Sequence, residues 1–482
     1  MSLGWSDVEQ KLAGLYGASA AAGLVADIQA LPRQSAPAST QPLTERDAAL
    51  ICYANSVVDR AEETAPLAIL RQWLKQHAIT DTLSIVHLLP FYPWDTDRGF
   101  SVKDFYQVEP SYGSWEDIRC LANECRLMFD FVANHASIEN PLVQSALIER
   151  HLSPEDSRYQ EHARYREFVL AFSQEERPTE NDLKQLARPR AAPVLSPYVV
   201  FDDGGALRAS LGTSAPDGRQ QFGSGWVWTT FSRLPNADGS EATRQVDLNF
   251  KNPSVFLEAV RILVFYRQQG ASLIRLDAIG YLWKKFGSTS LHEPQTHELL
   301  QALDGILKLL LPEVITIAEV NEPQEKVLPY LGTEAASESD LVYQFSHFPL
   351  AVHAVQTGSA QHYSEWLRTL PPFGGRQFIT VLGSHDGLGM KPARGLLPEG
   401  AVSEMIERLV DEHGGLPNFA VLPGGERIVY EVCATPWDLI NPGDSEEPLA
   451  LQIDRYLAVV ALGLLPRGLP AFYINGILGR SG

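Results

Sequence analysis

Three apolar runs in this chain, each about as long as a buried strand, end in a carboxylic acid. The runs A-S-L-I-R-L-D, V-I-T-I-A-E and F-I-T-V-L-G-S-H-D end at Asp277, Glu319 and Asp386. A (β/α)8 barrel keeps its active site at the carboxyl ends of its parallel strands. The three acids therefore predict a barrel of this kind, with one site at the end where its strands finish.

Strand-like and helix-like segments alternate over most of the chain from Ala48 onward. Such alternation is typical of parallel strands joined by helices. The strand-like runs are 48–57, 84–91, 126–135, 271–277, 314–320, 340–347, 376–385 and 468–476. Since there are eight of them, we predict an α/β fold in the form of a TIM barrel.

Three stretches fall outside this alternation. Residues 1–45 predict a helical lead-in, with helices near 7–16 and 20–31 and then a polar linker. Residues 136–245 lack alternation for too long to be a loop, so we predict an inserted subdomain after the third strand, with a charged helix near 153–172. The barrel then comprises 46–135 and 246–482, and the second part contains a long loop at 387–444.

The charge balance limits the possible partners. The formal net charge is −20, and 10 lysines stand against 29 arginines, which argues against nucleic acid or an anionic membrane as a partner. The sequence contains neither a long apolar stretch nor a basic-then-apolar leader pattern, so we expect a soluble cytoplasmic protein. The four cysteines have no C-x-x-C spacing, so we expect neither disulfides nor a zinc site.

Arg275 stands two positions before Asp277, which places both side chains on the same face of one strand. A buried carboxylate is costly unless it is paired or hydrogen-bonded, so Arg275 is its natural partner. A purely structural ion pair is the alternative interpretation. The other two strand-end acids favour a catalytic site.

Four motifs occur in order: D-F-V-A-N-H (130–135), R-L-D-A-I-G-Y (275–281), A-E-V-N (318–321) and G-S-H-D (383–386). In this order they resemble glycoside hydrolase family 13, the α-amylase family, over nearly the whole chain. Four further segments are similar to its sucrose phosphorylase subfamily. They are Y-P-W-D-T-D-R-G-F (92–100), S-Y-G-S-W-E-D-I (111–118), R-P-R (188–190) and S-H-D-G-L-G (384–389).

The resemblance implies a retaining mechanism, with Asp277 as nucleophile, Glu319 as general acid and base, and Asp386 as transition-state stabiliser. Such a mechanism needs two carboxyl groups ~5–5.5 Å apart, one ionised and one protonated. Arg275 is expected to keep Asp277 ionised, whereas the apolar neighbours of Glu319 favour a raised pKa.

The resemblance also implies contacts to the substrate. Contacts to glucose are expected from Asp97, Phe100, His135, Arg275, Tyr281 and His385. On the phosphate and acceptor side the candidates are Arg190, Lys391, Arg394, Asn321 and Glu322. Ordinary core histidines and a surface arginine remain the alternatives for His135, His385 and Arg190. No cofactor or metal is implied, although some amylases bind calcium at the counterpart of Asn134.

The expected activity is that of a retaining glucosyl phosphorylase, which converts a small α-glucoside and inorganic phosphate to α-glucose 1-phosphate and a free acceptor. Because Glu322 would repel an anion and no cation stands out beside Glu319, we expect 2-O-α-glucosylglycerol as donor. Phosphorylases of sucrose or glucosylglycerate, an α-glucoside hydrolase or transglycosylase, and a non-catalytic scaffold subunit remain alternatives. We expect a monomer or homodimer.

The subfamily also carries an R-D-I-N-R-like segment and a small β domain beyond the last barrel strand. The segment's arginine pairs with the counterpart of Asp97. Both features are absent from this sequence, so we expect Asp97 to lack that partner.

Overall fold

A computed structural model describes residues 4–32, 42–59, 64–233, 243–333, 335–371, 377–422, 424–443 and 446–480. Within them, eight parallel strands close into a barrel in which each strand pairs with its neighbours in the sequence and the last pairs with the first. The strands, β1 to β8, are Ala49–Cys52, Ile85–Leu88, Arg126–Val132, Ala271–Asp277, Ile315–Ala318, Leu341–Tyr343, Gln377–Leu382 and Gly468–Tyr473. The predicted TIM barrel is confirmed.

The register of the central strands decides which side chains meet at the carboxyl end of the barrel. Arg275 of β4 pairs with Asp130 of β3, and Leu276 pairs with Ala318 at the end of β5. Because Glu319 follows Ala318 directly, its side chain emerges beside the end of β4. The charged residues of three strands are thus brought together by pairing of the backbone.

Helices surround the barrel. The longer ones are Pro66–Gln76, Trp115–Ala122, Pro253–Gln268, Pro294–Leu310, His347–Thr357, Gln361–Thr369 and Leu449–Gly463. Short helices and helical turns occur at Ile79–Asp81, Asp97–Gly99, Ile279–Tyr281, Gln324–Val327, Leu328–Leu331, Lys391–Ala393 and Ile474–Ile477. Among the described residues, no helix combines the length and apolarity needed to cross a membrane.

The helix before β4 begins and ends as the sequence predicts. The side chain of Asn252 accepts a hydrogen bond from Ser254 N at 2.9 Å, and Pro253 occupies the first turn. After the helix, Gly270 adopts a φ of 109°, which a residue with a side chain rarely adopts, and the chain turns into β4. These local signals fix where β4 starts, and so where Asp277 lies.

Two helices precede the barrel, Trp5–Tyr16 and Ala18–Gln29. They bury Leu12 and Ile28 against the outer helices Pro294–Leu310 and Pro253–Gln268. The predicted linker after them lies almost wholly outside the described residues.

A first insertion separates β3 from β4. It contains an antiparallel sheet whose strands, in spatial order, are Ala171–Phe172, Gln221–Trp228, Leu195–Asp203 and Ala206–Leu211. Its two ends lie side by side, because His135–Ser137 pairs with Gln245–Asp247. The insertion's described helices and helical turn are Pro141–Glu149, Tyr159–Ala163, Glu180–Leu183 and Pro216–Gly218. The helix predicted at 153–172 is wrong apart from Tyr159–Ala163, and Glu167, with a φ of 58°, interrupts helical geometry there.

A second insertion follows β7, where the sequence predicted a long loop. That prediction is corrected, because the segment holds regular elements around a small apolar core that includes Met405, Leu409 and Val432. Its elements are Leu388–Gly389, Glu399–Asp411, Leu416–Val421, Arg427–Cys433 and Pro436–Ile440. Arg188 of the first insertion forms a main-chain bridge with Val421 of the second, so the two insertions meet above the barrel.

Candidate active site

A pocket at the carboxyl end of the barrel contains Asp277, Glu319 and Asp386. All of the other predicted site residues line it except Lys391 and Arg394. The remaining lining residues are Pro189, Phe231, Ala278, Gly280, Leu291, Val320, Tyr430 and Glu431. The barrel strands thus supply the acids, and the insertions supply much of the wall.

Arg275 is the centre of the charged network. Its Nη1 contacts Asp130 and lies 2.6 Å from Asp277 Oδ1, while its Nη2 lies 3.8 Å from Glu319 Oε1. His87 Nε2 approaches the other oxygen of Asp130 at 2.7 Å. Burial pushes the pKa of Asp130 upward, but Arg275 and His87 outweigh it and lower that pKa to about 2. Asp130 is therefore an anion that anchors Arg275 from below.

Asp277 and Glu319 are both buried and both face Arg275. Burial raises the pKa of both carboxyl groups, the charge of Glu319 raises that of Asp277 further, and Arg275 opposes the shift. Ala278 N donates to Glu319 Oε2 at 3.0 Å. Two neighbouring buried carboxyls in this situation favour a single shared proton. Asp277 has the closer contact with Arg275, which favours the charge on Asp277 and the proton on Glu319.

Asp386 lies on the turn that follows β7, and 46% of its side chain is exposed. His385 Nε2 lies 3.4 Å from Asp386 Oδ2, and the His385 ring stacks on Phe100 with centroids 4.8 Å apart. Burial lowers the pKa of His385, although Asp386 opposes that shift. This corner therefore combines an accessible carboxylate, a neutral imidazole and an aromatic face, which suits binding of sugar hydroxyls.

His135 also lines the pocket, but its ring is more constrained than predicted. Its Nε2 lies 3.1 Å from the carbonyl oxygen of Phe100, and Asn134 Nδ2 lies 3.4 Å from its Nδ1. Burial lowers the pKa of His135 to about 4, so the ring is neutral at pH 7. A hydrogen bond from His135 to a sugar requires rearrangement of one of these contacts.

Asp97 has a partner that the sequence did not reveal. Arg233 Nη2 lies 2.5 Å from Asp97 Oδ1, and Gln245 Nε2 donates to its other oxygen at 3.0 Å. Burial raises the pKa of Asp97, but Arg233 and Arg190 outweigh it and the pKa is lowered. Asp97 was expected to lack the arginine of the R-D-I-N-R-like segment, and in the structure Arg233 of the first insertion pairs with it instead.

Aromatic side chains form part of the pocket wall. Tyr281 packs edge-on against Phe231 with centroids 5.3 Å apart, and Phe231 also packs against His135 at 5.0 Å. Tyr430 from the second insertion completes this wall. Tyr281 was predicted, whereas Phe231 and Tyr430 belong to insertion segments without a recognisable motif.

Arg190 reaches the pocket from the first insertion and meets an acid from the second. Its Nη1 lies 3.0 Å from Glu431 Oε1, and Asn418 Nδ2 donates to the same oxygen at 2.9 Å. Burial raises the pKa of Glu431, and Arg190 opposes that shift. Arg190 Nε is buried without a hydrogen-bond partner among the described residues. The guanidinium therefore lines the pocket with its hydrogen-bonding capacity only partly used.

The remaining acceptor-side candidates divide into two groups. Asn321 and Glu322 line the pocket, and Lys391 forms an ion pair with Glu322 from an adjoining pocket. The expectation that Glu322 would repel an anion did not include this cation. Arg394 lines neither pocket. Its guanidinium lies 2.6 Å from the carboxylate of Glu399, which begins the helix Glu399–Asp411.

Behind Tyr281, a lysine occupies an oxygen-rich position. Lys284 Nζ donates to Asn134 Oδ1 and to the carbonyl oxygen of Tyr281, and it lies 2.8 Å from Asp247 Oδ2. These oxygens already have a cation, which does not suit a calcium ion at Asn134. Within the described ranges, no group of three or more histidine, cysteine or acidic side chains is placed to hold a metal ion.

A closed eight-stranded barrel with three acids at its carboxyl end defines a class of carbohydrate-processing enzymes. Residues 82–387 match the family model for the alpha-amylase catalytic domain. The chain belongs to the alpha-amylase family of enzymes, which confirms the resemblance seen in its motifs.

Its relatives include phosphorylases. The chain is 35% identical over 90% of its length to the glucosylglycerate phosphorylase of Allomeiothermus silvanus and spans 69% of that relative. It is 34% identical over 91% of its length to the glucosylglycerate phosphorylase of Spirochaeta thermophila, of which it spans 65%. The glucosylglycerol phosphorylase of Marinobacter adhaerens is 23% identical over 89% of the chain, which spans 76% of that protein.

Among solved structures, the sucrose 6F-phosphate phosphorylase of Thermoanaerobacter thermosaccharolyticum superposes with a TM-score of 0.71. The match covers 91% of this chain and 77% of that protein, at 22% identity. This similarity supports the fold alone.

Proposed function

We propose that the chain carries the catalytic centre of a retaining α-glucoside phosphorylase whose donor is glucosylglycerate. The observation that carries this proposal is that two buried carboxyls, Asp277 and Glu319, both face Arg275. Arg190 lines the same pocket. A retaining glycosidase-type mechanism requires such a pair. The relatives at 35% and 34% identity support the phosphorylase activity and the choice of donor.

The proposal corrects the expectation of glucosylglycerol as donor. The glucosylglycerol phosphorylase is 23% identical, well below the two glucosylglycerate phosphorylases. The electrostatic reason for that expectation also fails, because Lys391 neutralises Glu322. An anionic acceptor therefore does not face an unpaired carboxylate on this side of the pocket.

In the first half of the proposed reaction, Asp277 attacks the anomeric carbon of the glucosyl unit. Glu319 gives its proton to the glycosidic oxygen as the bond between that oxygen and the anomeric carbon breaks, and glycerate leaves. The product on the protein is an ester between glucose and Asp277. Arg275 keeps Asp277 ionised for this attack, and its ion pair with Asp130 holds the guanidinium in place.

In the second half, a phosphate oxygen attacks the same carbon and the ester bond to Asp277 breaks. Glu319, now ionised, takes the proton from the phosphate hydroxyl. Two inversions give α-glucose 1-phosphate with net retention. Arg190 supports phosphate over water as the nucleophile, because a guanidinium binds two phosphate oxygens in a planar arrangement and its Nε has a donor to spare.

The remaining contacts are proposed to orient the glucose ring. Asp97 and Asp386 accept hydrogen bonds from its hydroxyl groups, and His385 donates to them. Phe100 and Tyr281 supply apolar faces for the ring. The ion pair between Asp97 and Arg233 fixes the carboxylate before the substrate enters.

The test is to incubate the protein with phosphate and glucosylglycerate, glucosylglycerol or sucrose in parallel, and to measure α-glucose 1-phosphate and free glucose in each. We expect glucose 1-phosphate chiefly from glucosylglycerate. Free glucose without glucose 1-phosphate would indicate a hydrolase, and turnover favouring another donor would overturn the choice of acceptor. The absence of any product would favour a non-catalytic role.

A further inference from the structure

A second pocket opens off the active-site pocket on the side of Glu322. The two pockets share Pro189, Tyr281, Leu291, Glu322 and Tyr430 as a common wall. The second pocket is also lined by Arg188, His292, Lys326 and Lys391. Since the family resemblance places Glu322 among the phosphate and acceptor candidates, we take this pocket to adjoin the proposed acceptor side.

The second pocket carries an excess of positive charge. Of the described residues that line it, three are cations and one, Glu322, is a carboxylate. Lys391 already pairs with Glu322. Arg188 and Lys326 have no ion-pair partner in the described part of the chain, so their charges are available to a ligand. A pocket of this composition suits an anion.

His292 also lines this pocket, and one of its ring nitrogens is unpaired among the described residues. Its Nδ1 lies 2.7 Å from the hydroxyl group of Tyr330, and its Nε2 is buried without a hydrogen-bond partner among the described residues. Burial, assisted by Lys391, lowers the pKa of His292 to about 3, so the ring is neutral. Burial also raises the pKa of Tyr330, which keeps its hydroxyl hydrogen for Nδ1. This tautomer leaves Nε2 as an N–H donor.

The loop that carries His292 is held firmly in place. His292 has a φ of 60°, a left-handed conformation that is unusual for a residue with a side chain, and its N donates to Gly280 O at 3.0 Å. Three residues earlier, Thr289 O accepts from Ala187 N at 2.9 Å, next to Arg188. The loop is thereby tied both to the turn after β4 and to the segment that carries Arg188.

We infer that His292 Nε2–H, together with Arg188 and Lys326, binds the carboxylate of the acceptor and makes the site selective for an acidic acceptor. This inference rests on the proposed function. Glycerate has only three carbons, so its carboxylate lies within a few bonds of the oxygen that Glu319 protonates. The adjoining pocket is the place where the described residues offer that carboxylate cations and a free donor. The proposed phosphate ligand Arg190 lines the central pocket and not the adjoining one.

The test measures the reverse reaction, in which α-glucose 1-phosphate glucosylates either glycerate or glycerol. The readout is the ratio of kcat/KM for the two acceptors, because they differ in the carboxylate. His292→Asn removes the imidazole and suits the left-handed backbone. Arg188→Gln and Lys326→Gln each remove one charge from a partly or fully exposed side chain. Lys285→Gln is the matched control, since Lys285 belongs to the same loop and lines neither pocket.

We expect each of the three pocket variants to lower the preference for glycerate over glycerol by roughly 10- to 100-fold, the effect of losing one charge-assisted or buried hydrogen bond. Lys285→Gln should leave the ratio unchanged within about twofold. An unchanged ratio in the pocket variants would overturn the inference, whether activity is kept or is lost equally on both acceptors. A larger rise in KM for phosphate than for glycerate would reassign the pocket to phosphate.

Failure of the proposed function is seen separately, in the unmodified protein. If that protein prefers glycerol to glycerate, the donor has been misidentified before any variant is examined. If it prefers glycerate and the pocket variants keep that preference, the proposed function stands and the role of the His292 pocket is wrong.

Discussion

The ammonium group of Lys284 lies 2.8 Å from the carboxylate of Asp247, and both side chains are buried. Asp247 ends the first insertion, and Lys284 follows the turn that carries Tyr281. Through its further contacts with Asn134 and the carbonyl oxygen of Tyr281, the lysine joins the ends of β3 and β4 to the insertion. The pair therefore connects the architecture of the barrel directly to the shape of the pocket.

We expect Lys284→Met to destabilise the protein by about 3 kcal/mol, because it leaves the buried carboxylate of Asp247 without its counter-charge. Hydrogen bonds from Thr230 and Asn134 to Asp247 remain, which places the effect at the lower end for a broken buried ion pair. The measurement is the midpoint of urea unfolding. Lys285→Met is the control, since that side chain is 57% exposed and should shift stability by less than about 0.5 kcal/mol. Equal effects of the two substitutions would contradict this account.

Asp277→Asn should reduce turnover by a factor of about 10⁴ or more, because an amide cannot form the proposed glucosyl ester. The check is glucose 1-phosphate formation, together with circular dichroism to establish that the fold persists. Trapping of a covalent adduct with a slow fluorinated glucosyl donor should succeed in the unmodified protein at Asp277 and fail in the variant. An adduct on another residue would remove Asp277 as nucleophile.

The pH dependence of kcat/KM should show Glu319 on its basic limb. The folded protein raises the pKa of this carboxyl through burial, so the proton needed for leaving-group departure is kept to a higher pH than in a free glutamic acid and is lost as the pH rises through that raised pKa. In Glu319→Gln this limb should disappear. Natural glucosides should lose roughly 10²- to 10⁴-fold in rate, and donors whose leaving groups need no protonation should lose far less. Equal losses on both kinds of donor would argue against the acid role.

Arg190→Ala should raise the KM for phosphate by about tenfold or more while changing the KM for the glucoside less, because the guanidinium is proposed to bind phosphate. Since this change also leaves Glu431 without its cation, Arg190→Lys is the second variant. This variant keeps the charge but loses the planar pair of donors, so its KM for phosphate should lie between that of the unmodified protein and that of Arg190→Ala. Arg394→Ala is the matched control, with its guanidinium on Glu399 outside the pocket. A phosphate KM that does not change in Arg190→Ala would exclude this arginine.

The barrel and its acids were predictable because their signals are local. The strand that ends at Asp277 is predicted by a capped helix, a glycine that ends this helix and an apolar run, all within 30 residues in the sequence. The acids at Glu319 and Asp386 follow apolar runs of the same kind. Side chains at strand ends in a parallel barrel must converge, so local signals were enough to assemble the centre of the site.

The insertion residues were not predictable in the same way. Arg233 meets Asp97 and Arg190 meets Glu431 across separations of 136 and 241 positions, and no periodicity in either segment signals those contacts. The error on the helix at 153–172 has a related cause, since charged composition suggested a helix where contacts between segments decide the backbone. Lys391 was predicted as an acceptor-side candidate, but its ion pair with Glu322 was not, because that contact depends on how the second insertion folds back.

The main-chain bridge between Arg188 and Val421 has a consequence for how such a protein diversifies. The proposed reacting acids belong to the barrel, whereas part of the wall of the adjoining pocket is built where two separate excursions of the chain touch. Substitutions, or changes in length, in either excursion can remodel that part of the wall while the barrel strands keep their register. Acceptor selectivity can thereby change in the excursions while the strands that carry the proposed reacting acids stay as they are.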